Sequence, residues 1–240
     1  SIETIRYIGL VIGPYVVIPL YLILIAQRLW FWMKLYNPAL KLIPGPKSTI
    51  DVWKRQYRPT IELYPKKPVS KTARVWRDFK GFLLFAGLFR QDKLLWLGSW
   101  LFHVSLSILF LLHLRWILPS SWFDAAWLRP LADVSGWVLM GSSVYLIIRR
   151  LLVARVRQIT SFADYLSESL LAISVATGLW AAHEGVDPQV VSSYVRGLVT
   201  FMPVSPAFTG SMVSHLLSLQ LLLLVMPFSH LLHSGGIFIS

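Results

Sequence analysis

The segment HLLSLQLLLLVMPFSHLLH, residues 215–233, decides the fold, because it is an apolar run that begins and ends with histidine. A second run of the same character is HVSLSILFLLH, residues 103–113. Neither run contains an acidic residue, a lysine or an arginine. Each belongs to a longer apolar stretch, and a helix of about 20 such residues crosses the roughly 30 Å of membrane hydrocarbon. Because polar side chains are costly there, repeated histidines indicate a function.

The composition of the whole chain also indicates an integral membrane protein. Of its 240 residues, 55% are hydrophobic and only 14% are charged, and the mean hydropathy is +0.60. A soluble domain carries about 25% charged residues, so a soluble enzyme, a disordered chain and a fibrous protein are excluded. The chain has no cysteine, which excludes disulfides, thiolate-bound zinc, iron–sulfur clusters bound by this chain and covalent c-type haem.

Five segments are predicted to be membrane-spanning helices of a single all-α domain over residues 1–240. They lie at about residues 7–28, 94–118, 131–148, 165–183 and 207–233. The first is too long for the core of a signal peptide and lacks a small-residue cleavage site, so we expect it to be a helix. The fourth is the weakest prediction, because Glu168 lies in its first turn.

The positive charges predict the orientation of the chain. The net charge is +12, and 14 of the 23 basic residues lie between Lys34 and Lys93, with four acidic residues among them. This basic 34–93 loop and the basic 149–157 loop fall on one side of a five-helix protein, and the nearly neutral 119–130 and 185–206 loops fall on the other. The positive-inside rule then places the N-terminus outside and the C-terminus in the cytoplasm, in the cytoplasmic (inner) membrane. Basic residues beside spans contact lipid head groups, and no nucleic-acid-binding motif accompanies them.

The histidines of the second and fifth spans are predicted to face one another in two pairs, because the two helices run antiparallel. His103 and His233 lie toward the cytoplasm, whereas His113 and His215 lie toward the outside. Two stacked b-type haems need two axial imidazoles each, one from each helix. The 18 residues from His215 to His233 make about five full turns, and the ten from His103 to His113 leave those side chains about 80° apart.

Helix geometry leaves a second choice of ligand open in the fifth span. The axial rise is roughly 15 Å from His103 to His113 but about 27 Å from His215 to His233. His230 is only 15 residues from His215, which matches the rise better but turns the ligand by about 60°. Small residues near the histidines leave room for a flat macrocycle or for close helix packing: Ser105, Ser107, Gly141, Ser142, Ser143 and Gly178.

The two histidine segments resemble the nitrate reductase gamma-subunit family of dihaem cytochromes b. The ten-residue and 18-residue spacings match that family, as does Pro227 followed by Phe228. Closer still are the cytochrome b subunits of the Dsr (sulfite-reductase-associated) membrane complex and of membrane heterodisulfide reductase, and three other segments resemble the Dsr subunit. They are PFSHLLHSGGIFIS at 227–240, RGLVTFMP at 196–203 and HLRW at 113–116. The resemblance covers about the second to the fifth span.

The resemblance implies a five-helix bundle with two stacked haems b between the second and fifth spans. His103 and His233 would ligate the cytoplasmic-side haem, and His113 and His215 the outer-side one. It further implies electron transfer between the quinone pool (menaquinone or ubiquinone) and a cytoplasmic iron–sulfur subunit resembling heterodisulfide reductase. That subunit would dock on the 34–93 loop, in a complex with other membrane and periplasmic redox subunits, in dissimilatory sulfur metabolism. The alternatives within the family are the gamma subunit of a respiratory nitrate reductase or of heterodisulfide reductase.

A quinone site needs a group that accepts a proton beside an apolar cleft. The outer-side candidates are Arg115, Asp133, His183 and Glu184. Nitrate-reductase-type members place a lysine about 20 residues after their outer-side ligand, where this sequence has Asp133. The resemblance assigns no catalytic residue to this chain.

Two readings from other classes compete with a cytochrome. A proton-coupled transporter uses intramembrane histidines and carboxylates as a relay, but the sequence shows no repeated halves with matching broken helices. A membrane anchor without a cofactor has no need of four imidazoles in two facing pairs.

Overall fold

The computed structural model describes residues 2–41, 72, 84–118 and 127–229, and within them the chain is helical, with no strand. Its helices are α1 (Ile2–Tyr7), α2 (Gly13–Lys41), α3 (Ala86–Gln91), α4 (Lys93–His113), α5 (Leu128–Leu152), α6 (Ala154–Ile159), α7 (Phe162–His183), α8 (Pro188–Val199) and α9 (Gly210–Val225). A π-helical turn, Ile8–Ile12, joins α1 to α2. Short 3₁₀ turns, Leu114–Trp116 and Met226–Phe228, follow α4 and α9.

The described residues contain five helical segments that are long and apolar enough to cross a membrane. They are Glu3–Phe31, Lys93–Trp116, Leu128–Leu152, Phe162–His183 and Gly210–Phe228. For the described residues, the prediction of an all-α protein with five helices long and apolar enough to span a membrane is therefore confirmed. We term the end of the bundle where α4 and α7 end and α9 begins the His113 end, and the opposite end the His103 end.

The first span docks on the rest of the bundle through carbonyl groups that Pro14 leaves without a donor. Proline has no N–H, so the carbonyls one helical turn earlier lose their usual partner. Side chains from other helices replace it. The Gln220 amide donates to the Gly9 carbonyl (3.0 Å), and the Tyr194 hydroxyl donates to the Leu10 carbonyl (2.6 Å). Two carbonyls of the π-helical turn are thus bonded by side chains of other helices.

Helix α7 occupies the centre of the bundle, where it packs against α5 on one side and α9 on the other. The core around it is formed by Phe102, Leu139, Leu170, Leu171, Val175, Leu179 and Leu222. A capping box fixes its start, because Ser161 and Asp164 each bond the other's backbone N–H. The helix therefore begins at Phe162, three residues before the predicted span.

Glu168, which made this span the weakest prediction, is buried in the bundle with 1% of its side chain exposed. The Nε of Arg150 at the end of α5 forms an ion pair with it at 2.7 Å. The neighbouring Arg149 pairs with Asp92 at the start of α4 (3.2 Å). At the level of the sequence, the basic 149–157 loop predicted only the orientation of the chain. In the structure, Arg149 and Arg150 also join α5 to α4 and to α7 at the His103 end.

Part of the predicted 34–93 loop is helical. Helix α2 continues to Lys41, and the short helix α3 (Ala86–Gln91) leads into α4 through Asp92. The Asp92 side chain caps α4 by accepting a hydrogen bond from the Leu95 N–H (2.9 Å). That bond, followed by the pairing with Arg149, lowers the pKa of Asp92. Residues 42–71 and 73–83 lie outside the described part of the chain.

The neutral 185–206 loop contains the amphipathic helix α8, which closes the His113 end. Its buried face belongs to a second core, formed by Leu10, Ala181, Val191, Tyr194, Phe208 and Met212. Helix α8 packs against the 3₁₀ turn that follows His113, and Arg196 donates to the Leu118 carbonyl (3.1 Å). The turn after the second span is therefore covered by protein.

Candidate functional site

The bundle brings His113 of α4 and His215 of α9 together near the His113 end. Their ring centroids are 6.2 Å apart, and the ring planes differ by 33°. Two imidazoles on opposite sides of one metal ion, with nitrogens about 2.0 Å from the metal, would have centroids roughly 6.4 Å apart. His113 is exposed and His215 is half-buried, so one flank of the pair is open. The separation suits a pair of axial ligands.

Hydrogen bonds engage Nδ1 of both rings, which leaves Nε2 of His113 and of His215 available. The Nδ1 of His113 lies 2.7 Å from the Leu109 carbonyl, and that of His215 lies 2.7 Å from the Ser174 carbonyl. A carbonyl oxygen only accepts, so Nδ1 carries the proton in both rings. The Nε2 lone pair is then free to bind a metal, which is the arrangement that metal-ligating histidines generally show.

Helix α7 approaches the His215 ring without a side chain in between. A Cβ placed on Gly178 would lie 2.9 Å from Cε1 and 3.0 Å from Nδ1 of His215. Carbon atoms in ordinary contact stay about 3.5–4.0 Å apart. The ring therefore occupies space that any other residue at position 178 would fill.

An unneutralised positive charge lies two residues beyond His113. The Nε of Arg115 is buried without a hydrogen-bond partner, and its guanidinium stacks over the Trp116 ring at 4.1 Å. Its charge acts on the His113 ring and repels Arg129. Among the described residues no carboxylate forms an ion pair with Arg115. The site thus offers a cation to an anionic group beside the imidazole pair.

These features fit a haem better than a metal ion held by side chains alone. The described part of the chain contains no cluster of three or more His, Cys, Asp or Glu residues that could hold a metal. A haem needs only two axial imidazoles, because its macrocycle supplies the other four nitrogens, and its propionates are carboxylates. The His113–His215 pair and the Arg115 cation provide those groups.

His103 lies half-buried on α4, toward the His103 end. Its Nδ1 is 2.7 Å from the Ser99 carbonyl, so Nδ1 carries the proton in this ring as well. The rings of Phe85 and Phe102 meet it edge to face, with centroids 5.0 Å and 5.2 Å away. Its predicted partner His233, and the alternative His230, lie outside the described residues.

The four candidate quinone residues all lie toward the His113 end, but they do not form one cluster. His183 and Glu184 are exposed at the end of α7, whereas Asp133 is half-buried on α5 and Arg115 follows α4. No hydrogen bond or ion pair joins any of these described residues to another. Glu184 is instead bonded by the Ser211 hydroxyl at the start of α9, and the hydrogen bonds from Ser211 and Thr209 lower its pKa.

Ser174 was not among the predicted site residues, and Gly178 was noted only as one of the small residues. The sequence does carry a signal, because the two lie four residues apart and so share a helix face. That signal identifies small residues on a face without identifying the histidine that packs there.

Comparison with known proteins identifies the family that this chain resembles. Residues 86–239 match the model of the family described as nitrate reductase gamma subunit. The Hdr-like menaquinol oxidoreductase cytochrome b-like subunit of Archaeoglobus fulgidus is 24% identical, over 97% of this chain and 79% of that protein. Its counterpart in Archaeoglobus profundus is 25% identical, over 69% of this chain and 54% of that protein.

A third relative is the respiratory nitrate reductase 1 gamma chain of Escherichia coli K12. It is 31% identical over 57% of this chain and 69% of its own length. The family match covers more than half of the chain, and five helices suit membrane crossing. The chain is therefore a multi-pass membrane protein that belongs to the nitrate reductase gamma-subunit family.

Proposed function

We propose that this chain is a dihaem cytochrome b subunit that carries electrons between the quinone pool and a cytoplasmic iron–sulfur subunit. The observation that carries the proposal is the His113–His215 pair. Its centroids are 6.2 Å apart, and both Nδ1 atoms are engaged by carbonyls. Membership of the nitrate reductase gamma-subunit family supports it.

His113 and His215 would hold the outer-side haem, and His103 and His233 the cytoplasmic-side haem, with His230 as the alternative to His233. When bound, the haem irons supply one-electron redox chemistry, which no protein side chain provides here. The protein fixes each ligand ring through its Nδ1–H. Arg115 would neutralise the propionate charge of the outer-side haem, and α8 with the turn beneath it would exclude water.

Quinol oxidation also releases protons, and the His113 end carries groups that can accept them. We assign the quinone site to this end, with Arg115, Asp133, His183 and Glu184 as candidate residues. Hydrogen bonds from Ser211 and Thr209 lower the pKa of Glu184, which keeps it charged but makes it a weaker proton acceptor. The Archaeoglobus relatives are named as parts of menaquinol oxidoreductases, which favours menaquinol over ubiquinol.

The proposed arrangement in the membrane has the N-terminus outside and the C-terminus in the cytoplasm. The 34–93 loop would then face the cytoplasm and dock an iron–sulfur subunit resembling heterodisulfide reductase. The Hdr-like names of two relatives favour such a partner. The proposal also includes other redox subunits and a place in dissimilatory sulfur metabolism, which the resemblance to the Dsr cytochrome b subunit implies. The E. coli relative favours a respiratory nitrate reductase gamma subunit as the second candidate.

The test is a reduced-minus-oxidised absorption spectrum of the purified chain with a pyridine haemochrome count. We expect two haems b per chain. Replacing either His113 or His215 with alanine should remove the same single haem, and His103→Ala should remove the other. His183→Ala, at an exposed histidine, is the control and should retain both.

The alanine variants of His230 and His233 decide which of them is the fourth ligand. Loss of a haem in His233→Ala and retention in His230→Ala supports the assignment, and the reverse result overturns it. A folded, membrane-inserted chain without haem would contradict the cytochrome proposal. It would leave the proton-coupled transporter and the cofactor-free anchor as the remaining readings.

A further inference from the structure

We propose that α7, which carries no proposed haem ligand, positions the His215 imidazole through the Ser174 carbonyl and the bare backbone of Gly178. Through that ring, these positioning residues would set the reduction potential of the iron that His113 and His215 hold. The inference rests on the proposed function, since it requires His215 to be a ligand.

The hydrogen bond that orients His215 differs from those of the other two described histidines. His103 and His113 donate to carbonyls of their own helix, four residues earlier. His215 donates to Ser174, 41 residues earlier and on a different helix. A bond within one helix keeps its geometry wherever that helix moves. The bond to Ser174 holds only while α7 and α9 keep their present register.

Two buried serines fix that register beside the ring. The hydroxyls of Ser174 and Ser218 are joined by a hydrogen bond of 2.9 Å, and Ser218 donates to the carbonyl of His215 itself (2.9 Å). Ser174 is 1% exposed and Ser218 is 5% exposed, so water does not compete for these groups. One pair of hydroxyls thus ties the backbone of the ligand to the helix that binds its ring.

Gly178 completes the arrangement one turn further along α7. Its missing side chain lets the ring lie close enough for Nδ1 to reach Ser174. A methyl group there would contact Cε1 at 2.9 Å and Nδ1 at 3.0 Å, so the ring must move away by several tenths of an ångström. The movement would weaken the Nδ1–H bond to Ser174.

A weaker hydrogen bond at Nδ1 has a defined electronic result. Donation from Nδ1–H to a carbonyl raises the basicity of the imidazole. A more basic axial ligand stabilises ferric iron relative to ferrous iron. Displacement of the ring by Gly178→Ala should therefore raise the midpoint potential of one haem and leave the other unchanged.

Gly210→Ala is the matched control, because Gly210 is also a helical glycine and a Cβ there meets nothing within 4 Å. Both variants add one methyl group to a helix, where alanine is favoured over glycine. The experiment is a redox titration of the purified chain, read by haem absorption and by the low-spin EPR signals. We expect an upward shift of one midpoint and a changed EPR signal for that haem in Gly178→Ala only.

Ser218→Ala tests the same effect on the midpoint potential without adding a larger side chain. It should shift the same midpoint in the same direction, by less than Gly178→Ala, and it decides the question if Gly178→Ala does not fold. Unchanged midpoints in a two-haem Ser218→Ala protein, or equal shifts of both haems, would overturn the inference. Absence of haem from the unmodified chain would instead overturn the proposed function.

Discussion

Glu168 is a buried carboxylate whose ion-pair partner, Arg150, lies on another helix. A carboxylate inside a span marks a functional group by default, but here an arginine 2.7 Å away neutralises it. The hydroxyl of Tyr165 also bonds the Arg150 carbonyl (3.1 Å). We therefore interpret this pair as structural.

Removal of Arg150 alone should destabilise the protein strongly, because it leaves a buried charge without a partner. Arg150→Ala is expected to cost about 3–5 kcal/mol of unfolding free energy, whereas a double variant with Glu168→Gln should recover most of it. The measurement is thermal unfolding of the purified chain in detergent. Arg155→Ala, at an exposed position, is the control. Equal destabilisation by Arg150→Ala and by Arg155→Ala would contradict the structural role of the ion pair.

Tyr194 gives a second prediction, about pH. Burial raises its pKa to about 12, and its hydroxyl donates to the Leu10 carbonyl. Tyr194→Phe should therefore cost about 1–3 kcal/mol at neutral pH. The folded state keeps the proton above pH 10 while the unfolded state loses it. The advantage of tyrosine over phenylalanine is thus complete below about pH 10 and declines toward pH 12.

The free energies of unfolding of the unmodified chain and of Tyr194→Phe, measured at pH 8 and at pH 11, check this pH dependence. A difference between them that stays constant or grows with pH would show that the hydroxyl is not held as the structure has it.

The sequence predicted the meeting of His113 and His215 because two antiparallel spans place those positions at the same depth. It did not predict Ser174 as the acceptor for His215, because spacing within one helix does not encode which face a neighbouring helix covers. The role of these histidines as ligands stays a prediction.

Some helices could be predicted from the sequence more easily than others. Length and hydropathy identified the five spans, but α8 was treated as part of a neutral loop. Its signal was present: Asp187 and Pro188 form a helix start, and apolar residues recur at helical spacing through Val191, Tyr194 and Leu198. The π-helical turn could have been anticipated from Pro14, but its partners on α8 and α9 could not.

The π-helical turn yields a prediction that couples two helices. Gln220→Ala removes the donor to the Gly9 carbonyl and should cost about 1–3 kcal/mol. In a Pro14→Ala background the restored N–H can serve the freed carbonyls, so Gln220→Ala should cost clearly less. A double-mutant cycle in thermal unfolding measures this coupling. Additive effects of the two substitutions would argue against the role assigned to Pro14.

At the scale of the whole molecule, the basic residues are concentrated in one part of the sequence, with 14 of the 23 between Lys34 and Lys93. The number of spans followed from composition, and the family match supports a membrane location. The orientation remains a proposal, since it rests on the charge of loops that lie largely outside the described residues.

The orientation can be measured directly because the chain has no cysteine. Single cysteines at Gln189 and Arg155, both exposed, would lie on opposite membrane faces. The experiment uses cells from which the layers outside the cytoplasmic membrane have been removed, with that membrane still sealed. A membrane-impermeant maleimide should label Gln189→Cys in these cells, and Arg155→Cys only after the membrane has been permeabilised. The opposite pattern would reverse the proposed topology, and with it the side on which the iron–sulfur subunit docks.

The hydrogen bonds between the first span and the end of the chain have a consequence for biosynthesis. The Leu10 carbonyl is satisfied by a residue 184 positions later, and the Gly9 carbonyl by one 211 positions later. At a synthesis rate of about 5–20 residues per second, the first helix waits on the order of 10 to 40 s for its partners. A chain whose synthesis stops before α9 would lack the donor to the Gly9 carbonyl, so the first helix would reach its full set of hydrogen bonds only after α9 has been made.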